Sequence, residues 1–159
     1  MATSLKNLSD HDPSALPDGS SFYIGIAVSE WNPEVTDALL EGALATLRKA
    51  GVKRKHIEIR RVPGTFELPL ACQWMAQQKK TDAVIGLGCV IQGETRHFDF
   101  ICDATANAMQ QVALTSNKPC IFGVLTTNNQ QQALDRAGGK HGNKGDEAAF
   151  TALKMVAIR

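Results

Sequence analysis

The chain has 159 residues, 43% hydrophobic and 21% charged, which is the composition of a single globular domain large enough to bury a core. Its formal net charge is +1, which excludes the charge excess expected of a nucleic-acid or anionic-membrane binder. No apolar run approaches the roughly 20 residues that cross a bilayer, and the N-terminus lacks the apolar core of a secretory signal.

Residues 1–21 carry Pro13, Pro17, Gly19 and several serines without a sustained period, and predict a flexible tail ahead of one domain over 22–159. FYIGIAV (22–28) is a short apolar run suited to a strand buried on both faces. Asn32-Pro33 then opens a helix, with an apolar stripe of Val35, Leu39, Leu44 and Leu47 that Gly51 closes. HIEIRRV (56–62) alternates more and predicts a strand nearer an edge or an interface. Pro63-Gly64 ends it, and a helix over 66–78 must hold Pro69 in its first turn. DAVIGLGCVI (82–91) is the most apolar strand and is placed centrally. A helix over 97–115 follows, with Phe98, Ile101, Cys102, Thr105, Met109 and Val112 on its inner face. Pro119 leads the strand CIFGVLTT (120–127). Helices over 129–137 and 145–157 then flank the glycine-rich AGGKHGNKG. The four cysteines, Cys72, Cys89, Cys102 and Cys120, lie in apolar runs with no CxxC pair, which predicts buried free thiols in a reducing cytoplasm.

Strands alternating with helices, joined by right-handed crossovers, predict an α/β three-layer sandwich: a four-stranded parallel sheet with helices on both faces, flavodoxin-like in shape. Ligands of such sheets bind outside the carboxyl ends of the strands. The turns at those ends are SEWNPE (29–34), VPGTFE (62–67), IQGETRH (91–97) and TTNNQ (126–130). In the first, Trp31 offers an aromatic face to a flat heterocycle. In the second, Phe66 offers another face and Glu67 accepts hydrogen bonds from ligand hydroxyls. The third enters a helix, whose free amides and dipole favour an anion. Gly93 there permits close approach, Thr95 brings a hydroxyl, and Arg96 brings charge. His97, with an ordinary pKa of about 6.5, suits proton transfer near neutrality. The fourth holds Thr126, Thr127 and Asn128, while Phe122 inside that strand reads as core on periodicity. Each turn taken singly is also explained as a helix cap or a packed aromatic. Their joint placement at strand ends favours a site. RAGGKHGNKG has the composition of a phosphate cradle but not the P-loop spacing, and an interhelical loop explains it equally. The four histidines are scattered, and no cluster has metal-ligand spacing.

EWN, VPGTFELP, GCVIQGETRHFDF, FGVLTTNN and RAGGKHGNKG stand in the order and spacing of one family. Over 22–157 the chain resembles the 6,7-dimethyl-8-ribityllumazine synthases, the penultimate enzymes of riboflavin biosynthesis. The resemblance implies condensation of 5-amino-6-(D-ribitylamino)uracil with 3,4-dihydroxy-2-butanone 4-phosphate, releasing phosphate and water, without cofactor or metal. It implies that Trp31 stacks on the pyrimidine, that Thr65, Phe66 and Glu67 hold the ribityl chain, and that Val90 and Ile91 make backbone contacts to the pyrimidine. Gly93, Glu94 and Thr95 match the phosphate turn, with Arg136 as its basic partner and Lys144 close by. His97 matches the general acid/base. Phe122 is similar to a residue that closes the pocket from a neighbouring subunit. Arg96 matches no assigned role. The resemblance also implies a homo-pentamer with shared active sites. The short GGKHGNKG connection resembles that of members forming an icosahedral shell of about 60 chains.

Other readings fit the residues less well. A receiver domain needs a phosphorylatable aspartate where the third strand ends in CVIQG. A flavodoxin needs a phosphate loop where SEWNPE stands. A duplicate retained to bind flavin or build a shell, and the riboflavin synthase that shares this fold, stay open on sequence.

Overall fold

The computed structural model describes residues 16–159. Its central sheet has four strands in the order β2-β1-β3-β4, all parallel. They are β1 (Ile24–Ser29), β2 (Ile57–Val62), β3 (Ala83–Ile91) and β4 (Cys120–Thr127). All six residues of β1 are buried, as an interior strand covered on both faces requires. β2, whose charged residues break the apolar run, lies at one edge as predicted, and β3 lies inside the sheet beside β1. The fold is therefore the predicted flavodoxin-like α/β sandwich.

Two apolar cores cover the two faces. On one, α1 (Pro33–Lys49) and α5 (Lys144–Ala157) pack Val35, Leu39, Leu47, Ala149 and Leu153 against Ile24, Ile26, Val28, Ile85, Leu87 and Leu125. On the other, α2 (Leu68–Ala76) and α3 (His97–Ser116) pack Leu68, Cys72, Met75, Met109 and Val112 against Ala27, Val84 and Val124. The alternation of side chains along a strand produces this division. Along β3, Ile85, Leu87 and Cys89 face the first core. Gly86 and Gly88 face the second, where an added Cβ would meet Met109 or Thr65 at under 3 Å. Each buried leucine or isoleucine contributes roughly 2 kcal/mol, so both faces are needed for stability.

Local signals set the helix starts. Pro33 occupies the first turn of α1, and Asn32 before it takes a left-handed conformation (φ 59°), which asparagine tolerates better than most residues. Pro69 falls in the first turn of α2, which is shorter than the predicted 66–78. A 3-10 turn, Thr65–Glu67, takes up the beginning of that stretch.

Two regions differ from expectation. Part of the stretch that composition marks as a tail is packed: Gly19 N donates to Ala50 O at 2.7 Å, and Leu16, with Phe22 just beyond it, packs on the α1/α5 core. Residues 1–15 lie outside the described residues. The helix predicted over 129–137 is only α4 (Gln130–Leu134). The glycine-rich segment after it forms a small antiparallel hairpin of β5 (Ala137–Gly139) and β6 (Gly142–Asn143). Gly138 and Gly142 there have φ of 115° and 73°, which side chains oppose. The hairpin delivers the chain directly to α5. Asn143 Oδ1 caps that helix by accepting from Gly145 N at 2.8 Å.

Candidate active site

The turns after β1, β2 and β3 converge on one cavity of about 440 Å³, within the usual range for a small-molecule site. Trp31, Thr65, Phe66, Glu67, Val90, Ile91, Gly93, Thr95 and His97 all line it. Glu94 sits in the same turn, exposed. Trp31 and Phe66 remain 72% and 56% exposed, although aromatic side chains of this size ordinarily bury themselves. Two open aromatic faces at a cavity suit a flat ligand.

The walls of the cavity are held by backbone. Asn32 Nδ2 donates to Cys89 O at 3.0 Å, tying the turn after β1 to the carboxyl end of β3. Thr65 is buried beneath the cavity, and its Oγ1 has no hydrogen-bond partner. Gly88 makes room for it: a Cβ there would lie 2.8 Å from that oxygen. Cys89, buried in the same wall, has its thiol pushed up to about 11 by burial, which favours the protonated form near neutrality.

The turn before α3 is open. A Cβ on Gly93 would meet nothing within 4 Å. Arg96, the cap residue of α3, makes no side-chain capping bond, and His97 N reaches Thr95 Oγ1 only at 3.4 Å. The amino end of a 20-residue helix thus presents its positive dipole beside the cavity. His97 is exposed at that end. Arg96 pairs with Asp99 at 3.4 Å on the surface and does not line the cavity.

Phe122, Arg136 and Lys144 are not in this cavity. They line a second one, of about 530 Å³, along the edge strand β4 and α5, together with Thr126, Thr127 and Glu147. Phe122 is 40% exposed at this edge, so the core position suggested by periodicity is incorrect. Phe98 also departs from expectation: it is half-buried and lines the first cavity with Ile101, while Thr105, Met109 and Val112 supply the buried face of α3. Arg136 Nη1 donates to Gln132 O at 3.0 Å, and Lys144 forms an ion pair with Glu147. Sequence reasoning passed over Asn32 and Glu147. The available signals were an asparagine directly before Pro33 and a glutamate three residues after Lys144 on one helix. Among the described residues, no helix is long and apolar enough to cross a membrane, and the four cysteines are free.

The model of a family described as 6,7-dimethyl-8-ribityllumazine synthase matches residues 21–159. A 6,7-dimethyl-8-ribityllumazine synthase of Cytophaga hutchinsonii is 59% identical over 157 residues, covering 99% of this chain and 98% of that protein. Proteins of the same name from Parabacteroides distasonis and Porphyromonas gingivalis are 52% and 51% identical, each over 98% of its own length and at least 98% of this chain. With a family model that matches residues 21–159 and a relative 59% identical over 99% of the chain, the chain belongs to the 6,7-dimethyl-8-ribityllumazine synthase family of enzymes.

Proposed function

We propose that the chain condenses 5-amino-6-(D-ribitylamino)uracil with 3,4-dihydroxy-2-butanone 4-phosphate, yielding 6,7-dimethyl-8-ribityllumazine, phosphate and water in the penultimate step of riboflavin biosynthesis. One observation carries this reading beyond family membership. A single cavity is lined by two exposed aromatics, a carboxylate, the backbone of a strand end and a histidine at an open helix start. Trp31 stacks on the pyrimidine, whose polar edge meets the backbone of Val90 and Ile91. Thr65, Phe66 and Glu67 hold the ribityl chain, with the Glu67 carboxylate accepting from its hydroxyls. Gly93, Glu94 and Thr95 form the phosphate turn at the amino end of α3.

The chemistry asks for little else. The amine of the pyrimidine attacks the ketone, and loss of water gives a Schiff base. Elimination expels phosphate, and closure of the second ring releases water. Each step moves a proton, which His97 takes or supplies. Holding two reactants in register supplies much of the acceleration.

The phosphate also needs cations, and Arg136 and Lys144 stand with Phe122 in the second cavity. The reading is therefore completed by assembly: the second cavity of one chain closes the first cavity of its neighbour in a homo-pentamer. Exposed Leu70 and Trp74 on α2 and Phe100 and Leu114 on α3 support such a contact. The short β5–β6 hairpin supports the shell-forming variety, an icosahedral assembly of about 60 chains working in the cytoplasm. A native mass corresponding to one pentamer would contradict the shell.

The reaction is tested by mixing the purified chain with both compounds and following lumazine absorbance and fluorescence. Product is expected, and His97→Ala should slow its formation by about 100-fold without abolishing it, because positioning persists. An inactive wild-type protein would overturn the proposed reaction. A fully active His97→Ala variant would remove the histidine from it.

A further inference from the structure

Lys144 is the first residue of α5, where a cation works against the helix dipole. Its ammonium is paired to the Glu147 carboxylate three residues on, and the two side chains are only 16% and 8% exposed. Such a pair is not exchanged freely with water, as surface pairs are. Both residues line the second cavity beside Arg136. The formal charge that this cluster offers an incoming anion is thus that of one cation, not two.

We infer that Glu147 is a positioning residue that competes with a bound phosphate group for Lys144, and so sets how firmly the second cavity holds phosphate. The inference rests on the proposed function, in which one substrate carries a phosphate and free phosphate is a product. Glu147 offsets the dipole and keeps the ammonium in place between turnovers. When the phosphate arrives, Lys144 is shared between two anions and gives only part of its charge to the ligand. When inorganic phosphate must leave, the carboxylate reclaims the ammonium. A site with both cations unopposed would bind more tightly and release its product more slowly.

The test uses the full-length chain in its native assembly, with inorganic phosphate as the probe. Glu147→Gln keeps the shape and a hydrogen-bonding oxygen but removes the charge. It should bind phosphate roughly tenfold more tightly by calorimetry, the scale of one charge-assisted hydrogen bond. Inhibition by added phosphate should strengthen to match, with KM for the butanone phosphate and kcat both falling. Glu147→Asp, whose shorter carboxylate stands farther from the ammonium, should tighten binding by a smaller factor, and it decides the matter if the glutamine variant does not fold. A purely structural role would lower thermal stability in both variants and tighten phosphate in neither. Unchanged or weakened phosphate binding in a folded variant overturns the inference. If the wild-type chain forms no lumazine yet the variant binds phosphate more tightly, the proposed reaction fails and the competition for Lys144 stands. If product forms and phosphate affinity does not move, only this inference fails.

Discussion

Gly88→Ala is the substitution that most sharply tests how the cavity wall is built. A Cβ at this position lies 2.8 Å from Thr65 Oγ1 and 2.9 Å from Leu68 Cδ1, at least 0.5 Å inside the 3.4 Å at which ordinary contact begins. Thr65 cannot yield easily, because it is buried in the 3-10 turn between β2 and α2. Overpacking of this kind costs about 1–3 kcal/mol. For a chain of this size that lowers the melting temperature by roughly 2–4 °C per kcal/mol. Thr65→Ala alone should be nearly neutral, within about 1 kcal/mol, because it deletes an oxygen that has no partner while leaving a small void. In the double variant the contact with Thr65 is gone while that with Leu68 Cδ1 at 2.9 Å remains, so part of the loss should return. The coupling energy is therefore expected at about 1 kcal/mol, above the ~0.5 kcal/mol scatter of independent sites. Scanning calorimetry on all four proteins at one concentration measures it. On the proposed function, the KM for the pyrimidine should rise about tenfold in Gly88→Ala, because Thr65 would be pushed from its place in the cavity wall. Strictly additive melting shifts would refute this account of the wall.

Other consequences are equally direct. Trp31→Ala should raise KM for the pyrimidine about tenfold and Trp31→Phe less than threefold, with stability within about 0.5 kcal/mol because the ring is mostly exposed. A melting shift in Trp31→Ala much larger than this would show that the indole serves packing. Gly145→Ala should cost more than about 3 kcal/mol in urea titrations, since its Cβ would lie 1.8 Å from Leu39 O, where α1 and α5 touch. Unchanged unfolding would place that helix contact wrongly. Asp135 is held below its ordinary value of 3.8 by hydrogen bonds from Gln131 and Lys140, aided by the charges of Lys140 and His141. Because the folded value is the lower one, the stabilisation is complete above the unfolded value and disappears as pH falls through the folded one. Protection factors of the β5–β6 hairpin amides, taken relative to intrinsic exchange at each pH, should therefore fall as pH drops below about 3.8 in the wild type and vary less with pH in Asp135→Asn. Equal pH dependence in the two proteins would contradict this assignment.

The parts of the fold written in short-range patterns were legible. β1 and β3 announce themselves because a strand covered on both faces must be apolar at nearly every position. Pro33 and Pro69 mark helix starts because only a first turn accepts them without loss. The turns around the first cavity could be placed because strand ends in a parallel sheet all point one way. What escaped depends on tertiary context. Periodicity assigns Phe98 and Phe122 to a face of an element but cannot say whether another layer covers that face, and at the cavity and at the edge of β4 none does fully. The packing of Leu16 and Gly19 is fixed by the far ends of α1 and α5, not by neighbours in sequence. Strands as short as β5 and β6 leave no period to read, only glycines that suit a turn equally well. The division of the expected site residues between two cavities is likewise invisible in a linear motif.

That division gives the most direct test of the central claim, that the two cavities complete each other across neighbouring chains to perform the condensation. His97→Ala lacks the proposed proton carrier, which lines the first cavity, and Arg136→Ala lacks a proposed phosphate cation, which lines the second. Each alone should form lumazine slowly. After the two are unfolded, mixed in equal amounts and reassembled, about a quarter of the sites should receive an intact His97 from one chain and an intact Arg136 from its neighbour. The account predicts that lumazine formation rises to about that fraction of the wild-type rate. A mixture no faster than the average of its two components would contradict it.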